Sequence, residues 1–179
     1  MKKFAILIAL VSASLYVSAQ TAPPQDLSEY GEEGWHVLVE DAFAESKETG
    51  KPIMANFTGS DWCGWCIKLS AAVFHKDEFK TWAEENVVLL ELDFPRRTKL
   101  PEELQRQNAG LQQAFKVRGF PTVWVFDLDK DESSGQFSIK ALGKTGYRGS
   151  VEEFTTGVDQ MIAKANEAGR QEALSTPKG

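Results

Sequence analysis

The chain is short of thiols and imidazoles. Its 179 residues include two cysteines, Cys63 and Cys66, and two histidines, His36 and His75. A structural zinc site takes four protein ligands and a catalytic one usually three. Beyond the cysteines only the histidines and carboxylates remain, none at paired ligand spacing, so no metal is expected. Cations are in the minority: 20 Lys and Arg against 26 Asp and Glu leave a formal charge of -6. Such a surface repels nucleic acid and anionic lipid, and neither is an expected partner. No apolar run reaches the ~20 residues that a membrane-spanning helix needs. There is no internal repeat, and the length suits one domain with an ordinary core.

The N-terminus has the layout of a signal peptide: Lys2 and Lys3, an apolar stretch from Phe4 to Val17 interrupted by Ser12 and Ser14, then the small residues Ser18 and Ala19. Residues 1–19 are read as a cleaved leader. Export follows, to the periplasm in a Gram-negative bacterium and otherwise to the medium, and loss of Lys2 and Lys3 takes the formal charge from -6 to -8. Residues 20–33 are polar and proline-bearing without a period, and read as a flexible arm. The folded domain is expected over 34–166, with 167–179 a polar tail.

Within the domain, Trp35, Leu38, Val39, Ala42 and Phe43 recur at helical spacing up to Gly50 and Pro52, which predicts a first helix. Ile53 to Phe57 is a strand-length apolar run. It leads through Thr58, Gly59, Ser60 and Asp61 into Trp62-Cys63-Gly64-Trp65-Cys66 and a helix with Cys66, Leu69, Ser70 and Val73 on one face. Val87 to Asp93 fits a strand covered on both sides. Pro101 opens a further helix with Leu104, Leu111, Ala114 and Phe115 on its stripe. Thr122 to Phe126 and Phe137 to Leu142 read as a hairpin, its Asp-rich connection a solvated turn. Ser150 and Glu153, at capping-box spacing, start a last helix that buries Phe154 and Val158. This order predicts an α/β fold, a mixed central sheet flanked by helices.

Cys63 falls at a strand-to-helix junction, where unpaired backbone N–H groups and the positive end of the helix dipole stabilise a thiolate. It is the candidate nucleophile. Cys66, one helical turn further in, is placed to attack a mixed disulfide formed on Cys63. Other uses of the pair stay open on spacing alone: a structural disulfide, a metal site or two reduced core thiols. A disulfide across so short a loop constrains the unfolded chain by only about 2 kcal/mol, against nearly 5 for a loop of about 100 residues. In an exported chain such thiols would also oxidise readily.

The segment Lys51 to Leu69, KPIMANFTGSDWCGWCIKL, resembles the active-site strand, turn and helix of the thioredoxin superfamily. Val117-Arg118-Gly119-Phe120-Pro121-Thr122 resembles that family's second hallmark, a loop whose cis-proline faces the CxxC. The flanking WCGWC is most similar to exported, single-domain members. The resemblance implies a thioredoxin fold and thiol-disulfide exchange with protein substrates, Cys63 attacking, Cys66 resolving and Pro121 cis beside them. Trp62, Gly64, Trp65, Phe120 and Pro121 are the expected substrate-binding residues. No cofactor is implied; electrons would come from a membrane-bound thiol donor, and a monomer is expected. The family's buried aspartate and following-strand lysine are replaced by Asn56 and Leu89, with Asp61 a conceivable substitute in proton transfer. Between the cysteines stand Gly64 and Trp65, with no cation to favour the thiolate, and Asp61 opposes it; a reductase is expected rather than an oxidant. An oxidase, an isomerase and a non-catalytic binding module are the alternatives.

Overall fold

The structure, a computed structural model, describes residues 26–131 and 133–175. The expected leader, residues 20–25 of the arm and the last four residues of the tail lie outside the described residues. Strand β1 (Ile53–Thr58) is buried along its whole length, in keeping with its mostly apolar composition, and takes the polar Asn56 and Thr58 into the interior with it. It pairs in parallel with β2 (Val88–Asp93) and antiparallel with β3 (Thr122–Lys130), and β4 (Phe137–Thr145) closes the order β2-β1-β3-β4. Alternation along β1 sends Ile53, Ala55 and Phe57 to one core and Met54 to the other.

Helices cover both faces. Helix α1 (Val39–Thr49) contributes Ala42 to the first core, where Phe115 also lies, just past α4 (Glu102–Ala114). On the opposite face, α2 (Gly64–Leu69) continues through a π-helical turn at Ser70–Phe74; with α3 (Asp77–Asn86) and α5 (Val151–Ser175) it packs Leu69, Phe74, Phe79, Phe154 and Val158 together. The glycine after α1, Gly50, adopts a left-handed φ of 72° and donates its N–H to the Ser46 carbonyl at 2.8 Å, ending the helix. At α5, Ser150 Oγ accepts the Glu153 N–H at 3.2 Å. That helix runs on to Ser175, through most of the segment expected as a polar tail. Among the described residues no helix is long and apolar enough to cross a membrane.

The region before α1 departs from expectation. Trp35 to Val37 is extended, not helical. His36 donates its N–H to Leu89 at 2.9 Å and accepts from Glu91 at 2.8 Å, so it bridges the outer edge of β2. The helical spacing of Trp35 with Leu38 is coincidental: Trp35 and Val37 are buried around a half-exposed His36, which is strand alternation. Residues 26–33, expected to be a flexible arm, are also packed. Leu27 joins Val37, Leu100 and Leu104 in a small third core, and the Glu32 N–H donates to Glu91 Oε2 at 2.9 Å. Residues 27–38 thus form a strap over the β2 edge, which otherwise would expose unpaired backbone groups.

The hairpin turn between β3 and β4 is built on Asp131. Its carboxylate accepts from the hydroxyl and N–H of both Ser133 and Ser134, and these bonds push its carboxyl down to about 2.

Candidate active site

Where β1 ends, Gly59 begins a turn whose carbonyl accepts the N–H groups of Trp62 at 3.2 Å and Cys63 at 2.8 Å. A side chain at Gly59 would meet the Trp62 ring at 2.6 Å, so only glycine lets that indole fold down onto the turn. The turn is stitched to the loop that follows β2. Ser60 donates its N–H and hydroxyl to the Asp93 carboxylate at 2.8 and 2.6 Å, and Trp62 Nε1 donates to the Phe94 carbonyl at 2.8 Å. Asp61 accepts the backbone N–H groups of Arg96, Arg97 and Thr98 at 3.0, 2.7 and 3.2 Å. These bonds, that of Arg96 foremost, hold the Asp61 carboxyl below the usual carboxylate range. It is an anchored anion and a poor candidate for the proton carrier that the sequence suggested.

Cys63 stands at the N-cap of α2 in extended conformation, and its Sγ accepts the Cys66 N–H at 3.2 Å. Cys63 and Cys66 are joined as a disulfide with Cα atoms 5.2 Å apart, and both are buried. When the pair is reduced, the bond to the Cys66 N–H and the N-terminal dipole favour a thiolate on Cys63, although α2 itself is short. The Phe120–Pro121 peptide is cis. Phe120 stacks on Phe94 with centroids 5.0 Å apart and meets Trp62 edge-on at 6.0 Å. The aromatic contacts therefore bring the cis-proline loop against the cysteine turn. Gly64 has open space around its Cα, and Trp65 is 56% exposed, resting edge-on against Tyr147 at 5.0 Å.

Four participants at this end escaped the sequence reading: Phe94, Arg96, Tyr147 and Lys68. Arg96 Cζ lies 3.7 Å from the Trp62 ring centroid, and Lys68 Nζ 4.5 Å from that of Trp65. Lys68 had a readable signal, since it follows Trp65 by three residues on one helix. The other three come from distant segments.

On β1, Asn56 is buried, its Oδ1 has no hydrogen-bond partner among the described residues, and its register partner on β2 is Glu91. Burial pushes the Glu91 carboxyl up to about 7, with the Glu32 and Asp93 carboxylates acting in the same direction and the Glu32 N–H against them. Among the described residues no three His, Cys, Asp or Glu side chains converge to hold a metal ion. A cavity of about 680 Å³ lies beneath the strap, lined by Glu32, Trp35, Phe74 and His75 among others, and no cysteine borders it.

Residues 39–142 match the profile of the thioredoxin-like domain. The chain belongs to the thioredoxin-like family. Two curated thioredoxin-like relatives come from Chlamydia pneumoniae. The disulfide bond reductase DsbH is 40% identical over 95 residues, 53% of this chain and 57% of that protein. The thioredoxin-related protein DsbJ is 29% identical over 98 residues, 55% of this chain and 28% of that one. The matches thus span little more than half of one relative and about a quarter of the other. Among solved structures, a DsbH oxidoreductase superposes with a TM-score of 0.62 at 29% identity, over 81% of this chain and 96% of that one. The thioredoxin-like fold expected from the sequence, a mixed sheet flanked by helices, is the fold observed.

Proposed function

We propose that the protein is a thiol-disulfide oxidoreductase that reduces protein disulfides, with Cys63 as nucleophile and Cys66 as resolving thiol. The observation that carries this reading is the Cys66 N–H on Cys63 Sγ at 3.2 Å, at the head of a helix and beside the cis-proline loop. The name of the relative that is 40% identical, a disulfide bond reductase, supports the direction.

In the reduced protein the Cys63 thiolate attacks one sulfur of a substrate disulfide. A mixed disulfide forms and the first substrate thiolate leaves, taking a proton. Cys66 then loses its proton and attacks Cys63 Sγ, which releases the second substrate thiol and leaves the Cys63–Cys66 disulfide. Two electrons pass from the two cysteines to the substrate; one proton is that of Cys66, and the other comes from solvent in place of the one Cys63 lost on ionising. Trp62, Gly64, Trp65, Phe120 and Pro121 form the rim on which the substrate lies. Trp62 acts mainly through the turn it fixes, its Nε1 being committed to Phe94. Trp65 offers its exposed indole. The leader-like residues 1–19 support export, to the periplasm where there is one. Outside the cell a membrane-bound thiol donor would return the pair to the dithiol, and the protein would work as a monomer.

The test is Cys66→Ala. Expressed with its leader in a Gram-negative host, the variant should accumulate mixed disulfides through Cys63 that dithiothreitol releases. A variant that traps no partner removes the exchange reading and leaves a binding module.

A further inference from the structure

The whole protein carries more carboxylates than cations, yet several cations gather at the cysteine end. Arg96 and Lys68 lie over the two indoles that flank the cysteines. Beside Trp62, Arg96, Arg97 and Lys99 border a cavity of about 470 Å³ together with Asp93, Gln105 and Asn108. The acids at this end are already satisfied. Asp61 is held by three backbone N–H groups, and Asp93 takes the Ser60 hydroxyl and the N–H groups of Ser60 and Phe94. Among the described residues, Lys68, Arg96, Arg97 and Lys99 make no ion pair within 4.0 Å, as is also true of Lys116, Arg118 and Lys144, although the Arg97 charge helps to lower the Asp61 carboxyl. Lys47, Lys130 and Lys140 pair with Asp129, Glu40 and Asp127, and Arg148 pairs with Glu153. The same end also presents Trp65, 56% exposed, and Tyr147, 37% exposed, in contact with each other.

We propose that this rim selects polypeptide disulfides flanked by acidic residues, whose carboxylates seat on Arg96, Arg97 and Lys99 while apolar neighbours cover Trp65 and Tyr147. Exposed guanidinium groups beside an aromatic platform match carboxylates geometrically, and their charge steers an acidic segment toward a protein whose net charge repels it. The proposal rests on the reductase reading and names its substrate class. The exchange is the one already balanced: the substrate disulfide gains two electrons from Cys63 and Cys66, one proton from Cys66 and one from solvent.

The pre-reduced full-length mature chain is mixed with three peptide disulfides of one sequence, flanked by Asp/Glu, by Ser or by Lys, and thiol release is followed by stopped flow. The acidic peptide should react at least about tenfold faster than the lysine peptide at low ionic strength, with the ratio falling toward one near 0.5 M NaCl. Arg96→Glu/Arg97→Glu/Lys99→Glu should invert the preference, and Lys140→Glu on the hairpin should leave it unchanged. Should the triple variant fail to fold, the salt dependence of the natural protein decides alone. Equal rates for the three peptides at low salt would overturn the substrate class but keep the reductase. No reduction of any peptide would instead overturn the reductase. Glutathione disulfide, with carboxylates but no apolar residue, should react more slowly than the acidic peptide; a faster reaction overturns the polypeptide assignment.

Discussion

Two acids, Asp61 in the turn after β1 and Glu91 on β2, receive backbone N–H groups and end in opposite states. Asp61, at the cysteine end, takes three such bonds at the protein surface and stays ionised. Glu91, under the strap, takes one, is buried and sits near other carboxylates, and its carboxyl rises to about 7. Donor number prevails in the first case and desolvation in the second. The redox end is thus built on a fixed charge that holds the Arg96 loop in place. The strap end holds a carboxyl that changes state near neutrality. The two regions use the same bond for different purposes, and they should respond to perturbation independently.

The largest effect separates them by chemistry. Cys63→Ser should abolish disulfide exchange, while its urea midpoint matches that of the reduced natural protein; a shifted midpoint would mean that the two ends are coupled. Next comes the strap's main anchor. Trp35 is buried against Phe74 and Phe79, and Trp35→Ala should cost about 3–5 kcal/mol in urea unfolding with the reduction potential unmoved.

Glu91 sharpens the comparison through pH. Its carboxyl lies higher in the folded protein than in the unfolded chain, so the fold holds the proton longer. This stabilisation is present below the unfolded carboxyl's ordinary 4.5 and is lost as pH rises to about 7. The loss amounts to about 3 kcal/mol at most. Glu91→Gln, which keeps an acceptor for the Glu32 N–H, should remove that slope; it should match the natural protein near pH 4 and exceed it near pH 8 in urea unfolding. A slope that survives the substitution would place the titration elsewhere. The smallest effect belongs to His75, whose Nε2 lies 3.1 Å from Glu32 in a largely exposed pair. His75→Ala should cost less than about 1 kcal/mol by the same assay.

The two regions also differ in how far the sequence exposes them. The cysteine turn is carried by consecutive residues from Ile53 to Leu69, and the cis-proline loop by six residues in a row, so local pattern was enough to find both. β1 and β2 were equally plain, because strands buried on both faces read as nearly continuous apolar runs, here broken only by Asn56, Thr58, Glu91 and Asp93. The strap was not legible, because what fixes it is remote: Glu32 meets Glu91 across 59 positions, and the Val37 carbonyl is held by Gln107 across 70. Its local signals were weak. Gly34, at a φ of 83°, and the alternation of Trp35 with Val37 marked a turn and a short extended piece, but the helical spacing from Leu38 onward ran over them. Arg96 and Tyr147 escaped for the same reason, since nothing near them in the chain points to Trp62 or Trp65.

The central claim is that the Cys63–Cys66 pair works as a reductant. Its reduction potential, titrated against dithiothreitol or glutathione and followed by the fluorescence of Trp62 and Trp65, tests that most directly. A reversible couple below about -220 mV is the expected result; a value between about -180 and -120 mV, or a pair that does not cycle, would contradict the reductant role.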